Sequence, residues 1–486
     1  MKDVLGEHGR KGILKSIKLE TAEIILVFLL LFFSAVIIAA PNFLRDSNLL
    51  IGAEPYHYMR LAEAPFSSYD SLSYAGRNFV FSFYPVIIKA FSVLFGVTYF
   101  FSSKAIPFIM GLLSVALFYI ILKKLNLRIR NSLLICLILV FSPTFIYLFS
   151  TSNLYIFPVF LALIAFLFLL YDKKIYALLM ILLSFFFGIL PGVALLLLYL
   201  VYIFRDKKVR WFVVPLILLF AIMLYLVRGV LPFGLEFFLR HEGINYAFQN
   251  FISDLGGRFG LGIFAVILAL LGLVRLWKKK YDNMVFYSIT ILLLILSLFE
   301  IRTLFYFIFL FSFLVFFGIL YLFEFEFQSK FIKQFSIFVL ILGLFFSGIS
   351  YINELKHSLP DQELLKGLDE FETMSDPEAV VFSHYSRGFW VSGLANRAVV
   401  MDGDFIFAPK VKERYKDSEA LFETRDIDFA MNTLKKYNVK YILFDKAIEG
   451  TLWEGDEEGL LFLLKYSEKF KKIYNAHNLD VWEVIY

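Results

Sequence analysis

Apolar runs of membrane-spanning length limit what this chain can fold into more than any other feature. Ile24 to Pro41, Trp211 to Val227, Leu261 to Val274 and Phe331 to Ser350 are almost free of charge, and each approaches the roughly 20 residues that a helix needs to cross hydrocarbon. The chain is 60% hydrophobic with 61 phenylalanines, against roughly 45 to 50% in soluble domains. Only helices and closed barrels satisfy their backbone hydrogen bonds in lipid. The runs lack the in/out alternation of barrel strands, so they are predicted to be helices.

Eleven spans are expected, near 21–40, 104–122, 131–149, 154–171, 175–190, 192–204, 211–227, 258–274, 284–299, 303–323 and 331–350. Basic clusters recur after every second span: the N-terminal segment with Arg10, Lys11, Lys15 and Lys18; Lys123-Lys124 with Arg128 and Arg130; Lys173-Lys174; Arg205, Lys207, Lys208 and Arg210; and Arg275 with Lys278 to Lys280. The positive-inside rule then puts the N-terminus in the cytoplasm and the C-terminus outside. The first run is longer than the roughly 7 to 15 residues of a signal-peptide core, so it is expected to stay as an anchor. The pair at 175–190 and 192–204, broken at Pro191-Gly192, fits a tight hairpin. The net charge of +5 is explained by basic residues at span ends facing anionic lipid, which argues against nucleic-acid binding. The lone Cys136 forms neither an intrachain disulfide nor a cysteine zinc site.

Three segments leave the membrane. Residues 42–103 form a long external loop whose return, Tyr84 to Gly96, has the aromatic and lysine content of an interfacial helix. Residues 228–257 form a second external loop carrying Glu236, Arg240, His241, Glu242 and Asp254, long enough to order over a substrate. Residues 351–486 are domain-sized, and an extracytoplasmic α/β domain is expected there. Ala379 to Phe382, Arg397 to Met401 and Lys440 to Asp445 read as buried strands, Asp428 to Tyr437 as a crossover helix, and 470–476 with 481–486 as a hairpin.

Within these segments Glu54 is the first candidate for chemistry, because it follows a span closely and sits among Pro55, Tyr56, His57 and Arg60. A carboxylate there is suited to accept a proton or to hold a divalent cation; it equally suits a solvated charge cluster. Arg302, beside Glu300 at an outer span end, either faces a cavity as a phosphate ligand or pairs locally with Glu300. Arg77, Arg258 and Lys104 near outer span ends are expected to snorkel.

The stretch Glu54-Pro55-Tyr56-His57-Tyr58-Met59-Arg60 resembles the catalytic subunit of oligosaccharyltransferases, within the GT-C superfamily of polytopic glycosyltransferases. Glu54 falls at the position of that family's catalytic Asp. Tyr84-Pro85, Phe141-Ser142-Pro143, the long external loop and the C-terminal α/β domain follow in a similar order. Gly388-Phe389-Trp390-Val391 and Leu394-Ala395-Asn396-Arg397 resemble the surroundings of the family's Trp-Trp-Asp-Tyr-Gly motif, whose own positions read His384-Tyr385-Ser386-Arg387-Gly388 here. That departure argues against the Asn-x-Ser/Thr sequon.

The resemblance implies transfer of a sugar or oligosaccharide from a polyprenyl-phosphate donor to a protein, glycan or lipid acceptor on the outer face. It makes Glu54 the base and gives His57, Arg60, Arg302, Glu242, His384, Arg387 and Trp390 to substrate. It also implies Mg2+ or Mn2+ held by Glu54 with Asn153, although Ser150 to Tyr155 lacks the family's second acidic residue. The competing reading is a non-catalytic descendant that binds lipid-linked glycan or a protein partner. A transporter is disfavoured, since no repeated halves are visible.

Overall fold

The structure, a computed structural model, describes residues 21–45, 48–67, 69–78, 82–203, 243–258, 260–278, 281 and 283–486. It divides into two compact units, each discontinuous in sequence. One holds the described parts of 21–45, 104–203 and 243–357. The other holds those of 48–103 and 358–486, so the long loop after the first helix belongs to the same unit as the C-terminal domain.

The first unit is helical. Among the described residues four helices are long and apolar enough to cross a membrane, starting at residues 22, 99, 301 and 330, and the bent pair Ile129–Val140 and Pro143–Ser150 supplies a fifth. That pair turns through 69° at Phe141-Ser142-Pro143, where the chain before a proline leaves the helical region. Shorter apolar helices follow at Ile156–Leu170, Lys174–Ser184, Ile189–Ile203, Ile263–Trp277 and Met284–Phe299. The expected span at 211–227 lies outside the described residues.

Two expectations are corrected here. The break between Lys174–Ser184 and Ile189–Ile203 falls at Phe185 to Gly188, before Pro191, because proline is tolerated in a helix's first turn, where no intrahelical amide bond is lost. The last long helix, Lys330–Lys356, continues beyond residue 350. Tyr351, Ile352 and Leu355 are buried on its final turns, and that packing carries the helix through a polar stretch.

The second unit is built on a mixed five-stranded sheet. In chain order its loop carries a small ladder, β1 (Tyr69–Asp70) and β2 (Arg77–Asn78), and the sheet comprises β3 (Val380–Phe382), β4 (Ala398–Val399), β5 (Val439–Asp445), β6 (Phe470–Ala476) and β7 (Leu479–Val484). The strand order is β4-β3-β5-β7-β6, parallel for β4-β3-β5 and antiparallel for the rest. β6 and β7 join through His477-Asn478, both at positive φ, as a two-residue hairpin turn requires.

Side chains alternate across this sheet. Phe382, Ile442, Phe444 and Trp482 enter one core, which helices Val411–Glu423, Ile427–Lys436 and Gly459–Tyr466 cover. Val381, Tyr441, Leu443 and Val481 enter the other, covered by Leu364, Leu368 and Phe371 of Gln362–Met374, by Trp390, and by Tyr56 of the loop helix Glu54–Glu63. The loop also meets the sheet's edge: Ser73 bridges Val399 of β4, Tyr74 N donates to Val399 O at 2.8 Å, and Val399 N donates to Leu72 O at 2.9 Å. Edge strands left open invite pairing with other chains, and here the loop fills that role.

Candidate active site

Glu54 opens its helix and Pro55 follows it, the position at which proline's missing N–H costs nothing. A carboxylate in a first turn also meets the positive end of the helix dipole. The turn leading into it is fixed by the C-terminal part of the same unit. Gly52, at φ +84°, donates its N–H to Leu359 O at 3.2 Å and accepts from Trp390 Nε1 at 3.3 Å. Tyr56 Oη accepts from Leu50 N at 2.9 Å. Gly393 lies so close to the Tyr56 backbone that a Cβ there would meet its oxygen at 3.1 Å. Pro55 to Tyr58 are buried, and Glu54 is half-buried.

One turn along the helix, His57 and Arg60 face a chain of charges. His57 stacks on Phe389 at 4.2 Å between ring centroids, and its Nε2 lies 3.4 Å from Asp404 Oδ2. Arg60 Nη2 lies 3.4 Å from His57 Nδ1 and grips Asp70 with two bonds of 2.9 and 3.0 Å. Asp70 also accepts from Arg77 Nη2 at 3.0 Å, and Arg77 Nη1 donates to Asp402 Oδ1 at 2.7 Å and to Asp404 O at 3.3 Å. Burial pushes the Asp70 carboxyl up, but Arg60 and Arg77 outweigh it and hold the group well below the usual carboxylate range. For Arg77, burial pulls down while Asp402, Asp404 and Asp70 raise it, so it stays cationic. Arg77 is thus no snorkelling residue at a span end. It lies on β2 with only 4% of its side chain exposed, because three acidic neighbours draw it inward.

The other predicted residues of this unit sit nearby in sequence and differ in setting. His384 caps the short turn Tyr385–Arg387, its Nδ1 2.7 Å from Ser386 Oγ. Burial, then Arg387, lowers the imidazole to about 4. Arg387 forms two bonds to Asp445, of 2.6 and 3.2 Å, with its guanidinium carbon 4.8 Å above the Trp390 ring. Trp390 is buried and is the direct link from this segment to the turn before Glu54.

Arg302 and Asn153 lie in the helical unit. Arg302 occupies the turn Ile301–Thr303, with its N–H on Glu300 Oε1 at 3.1 Å and its Nε 3.9 Å from the same oxygen. Asn153 is buried; its Oδ1 accepts from Tyr155 N at 2.9 Å and its amide nitrogen donates to Leu148 O and Thr151 O. Glu242 lies outside the described residues. Asp254 caps Ile263–Trp277, accepting from Ile263 N at 2.5 Å and Ser347 Oγ at 2.9 Å.

Among the described residues no three His, Cys, Asp or Glu side chains gather as a metal site requires. Mg2+ and Mn2+ want several hard oxygen donors, yet Asn153 spends its oxygen on Tyr155 and both Asp70 oxygens accept from guanidinium groups, which leaves Asp402 Oδ2 as a buried oxygen without a hydrogen-bond partner. One such oxygen is fewer than the ion requires, so among the described residues the donor set for Mg2+ or Mn2+ is incomplete. Asp70, Asp402 and Asp404 were not expected at the site. Asp402-Gly403-Asp404 directly after Val399-Val400-Met401 is a signal that could have marked two of them, since strand ends carry sites in α/β sheets.

No family model matches the chain, and no curated protein matches it. Solved structures do. The oligosaccharyltransferase AglB of Archaeoglobus fulgidus, in complex with an inhibitory peptide and a dolichol-phosphate, aligns over 94% of this chain and 75% of its own at a TM-score of 0.56 and 14% identity. ArnT of Cupriavidus metallidurans, bound to undecaprenyl phosphate, aligns over 96% of this chain and 98% of its own at 0.55 and 11%. The mycobacterial arabinofuranosyltransferase AftD aligns over 95% of this chain and 40% of its own at 0.58 and 11%.

This chain has the GT-C fold. The likeness is one of fold, and the chain is a polytopic helical membrane protein with a C-terminal α/β domain. The AglB enzyme has also been solved with Zn and sulfate.

Proposed function

We propose that this GT-C protein is a membrane glycosyltransferase that moves a sugar or oligosaccharide from a polyprenyl-phosphate-linked donor to a protein, glycan or lipid acceptor on the outer face of the cell membrane. The observation that carries this reading is the alignment of nearly the whole chain with AglB and ArnT, whose structures hold dolichol-phosphate and undecaprenyl phosphate. The N-terminus is assigned to the cytoplasm and the α/β domain to the outside, on the positive-inside count.

Glu54 is assigned the general base. An acceptor hydroxyl or amide attacks the anomeric carbon, its proton passes to the Glu54 carboxylate, and the bond from that carbon to the phosphate oxygen breaks, releasing the polyprenyl phosphate. Arg302 is assigned to the departing phosphate, whose oxygens match a guanidinium fork. His57 and Arg60 are assigned to substrate through the helix that carries Glu54, and His384, Arg387 and Trp390 to acceptor selection. The external loop containing Glu242 is assigned the acceptor side as well.

The test is transfer of labelled sugar from a polyprenyl-phosphate donor in membranes containing the full chain. Loss of a positioned base typically costs about 10²- to 10⁴-fold, so Glu54→Gln should lose that much and Glu54→Asp should keep a measurable part. Full activity in Glu54→Gln sinks the assignment of the base. The unmatched acidic set around Asn153 favours a second reading, a non-catalytic protein that binds lipid-linked glycan; donor binding without transfer by the wild type supports it.

A further inference from the structure

The α/β domain holds a cavity of about 360 Å³. Its walls are aromatic: Tyr385, Tyr415, Phe422 and Trp453. Tyr385 and Tyr415 stand 6.4 Å apart between ring centroids, and Phe422 and Trp453 6.3 Å. Trp453 is locked in place by a 2.9 Å bond from its Nε1 to Phe422 O, so that wall is rigid before any ligand arrives.

The rim is acidic. Glu419, Glu423 and Glu458 line it, and among the described residues no Lys or Arg does. Glu419 and Glu423 follow each other by one helical turn on Val411–Glu423 and are exposed. Glu458 gives one oxygen to Glu454 N at 2.9 Å and keeps the other. His384 also lines the cavity and adds no positive charge near neutral pH, because burial first and Arg387 second lower it to about 4.

We infer that this cavity binds the ammonium group of an acceptor molecule, held over the rings of Tyr385, Tyr415, Phe422 and Trp453 and neutralised by Glu419 and Glu423. A cation over an aromatic face is drawn by the ring quadrupole, and the attraction grows where water is excluded. The rim carboxylates add a Coulomb term of the same sign. The volume falls in the range of small-molecule sites. Calling the ligand an acceptor rests on the transferase reading; ammonium binding by the cavity does not.

Calorimetric titration of the purified full chain in detergent tests this, with choline and ethanolamine standing for a lipid headgroup and N-acetyl-lysine methylamide for a peptide. The neutral isostere of choline, with carbon in place of nitrogen, is the control. At least one cation should bind at least about tenfold more tightly than the neutral isostere, and which one binds identifies the source of the ammonium. The double variant Glu419→Gln, Glu423→Gln should weaken that binding by about tenfold or more, with an unchanged unfolding midpoint showing that the domain is intact. Equal binding of cation and isostere, no binding of any cation, or full binding by the double variant overturns the proposal. Glu54→Gln should bind the cation as the wild type does while losing transfer. A wild type that binds the cation without transferring sugar leaves the cavity standing and removes the transferase reading.

Discussion

Arg77 Nη1 lies 2.7 Å from Asp402 Oδ1, and this bond joins the loop after the first helix to the segment that follows strand β4, more than three hundred residues away. The same guanidinium holds Asp70, which holds Arg60 on the helix that Glu54 begins. Removing one partner of a buried ion pair leaves the other charge uncompensated, at about 3 to 5 kcal/mol. Arg77→Met should therefore destabilise the unit by about that much, read from denaturant unfolding followed by tryptophan fluorescence. Adding Asp402→Asn to it should recover part of the loss, since Asp70 still has Arg60 as its partner. A single variant as stable as the wild type would remove the network from any role in anchoring Glu54.

Acid should weaken the α/β domain in two separate windows. His384 has its folded value lowered to about 4 from 6.5, so folding favours the neutral ring. The stability it contributes is complete above pH 6.5 and is lost as pH falls from there to about 4, by at most about 3 kcal/mol. Asp70 is lowered from 3.8; its contribution is complete above that pH and is lost only as pH falls further. Unfolding midpoints measured against pH should show both steps, and His384→Gln should remove the upper one alone. Persistence of the upper step in that variant assigns it to another group.

What could be read in the sequence followed from local pattern. Val380 to Phe382 and Val439 to Asp445 are short apolar, β-rich runs between turn signals, and the structure has strands there. The helix Ile427–Lys436 and the hairpin of β6 and β7 are equally local. Arg77 misled because its partners Asp70, Asp402 and Asp404 come together only through the tertiary fold, while its own neighbours in sequence say only that it follows a span. The Lys330–Lys356 helix outran its hydropathy for a similar reason, since burial of Tyr351 and Leu355 decides its end.

In the helical unit Gly272 and Gly318 mark where helices Ile263–Trp277 and Leu304–Glu324 touch backbone to backbone. A Cβ on Gly272 would fall inside the contact radius of Leu314 O, and one on Gly318 inside that of Leu268 O. Membrane helices gain much of their association from such close approach of small residues. Gly272→Val and Gly318→Val should each lower the yield of folded protein and its unfolding midpoint in detergent, since forced overpacking costs about 1 to 3 kcal/mol. Gly450, where a Cβ meets nothing within 4 Å, is the control: Gly450→Ala should leave both unchanged. Tolerance of valine at both helix positions would show that the helices do not cross there.

Tyr74 tests whether the loop is held by the sheet edge or by its charges alone. Its N–H donates to Val399 O at 2.8 Å, its hydroxyl donates to Lys436 O at 3.0 Å, and Arg414 lies over its ring at 5.2 Å. Proline removes the backbone donor and the ring together, whereas phenylalanine removes only the hydroxyl bond, worth about 0.5 to 1.5 kcal/mol. Tyr74→Pro should speed limited proteolysis within the loop while the C-terminal sheet stays resistant, and Tyr74→Phe should change the rate only slightly. If Tyr74→Pro is cut no faster than the wild type, the ion network that runs from Arg60 through Asp70 and Arg77 to Asp402 holds the loop without the edge pairing. Arg77→Met should then be the variant that releases it.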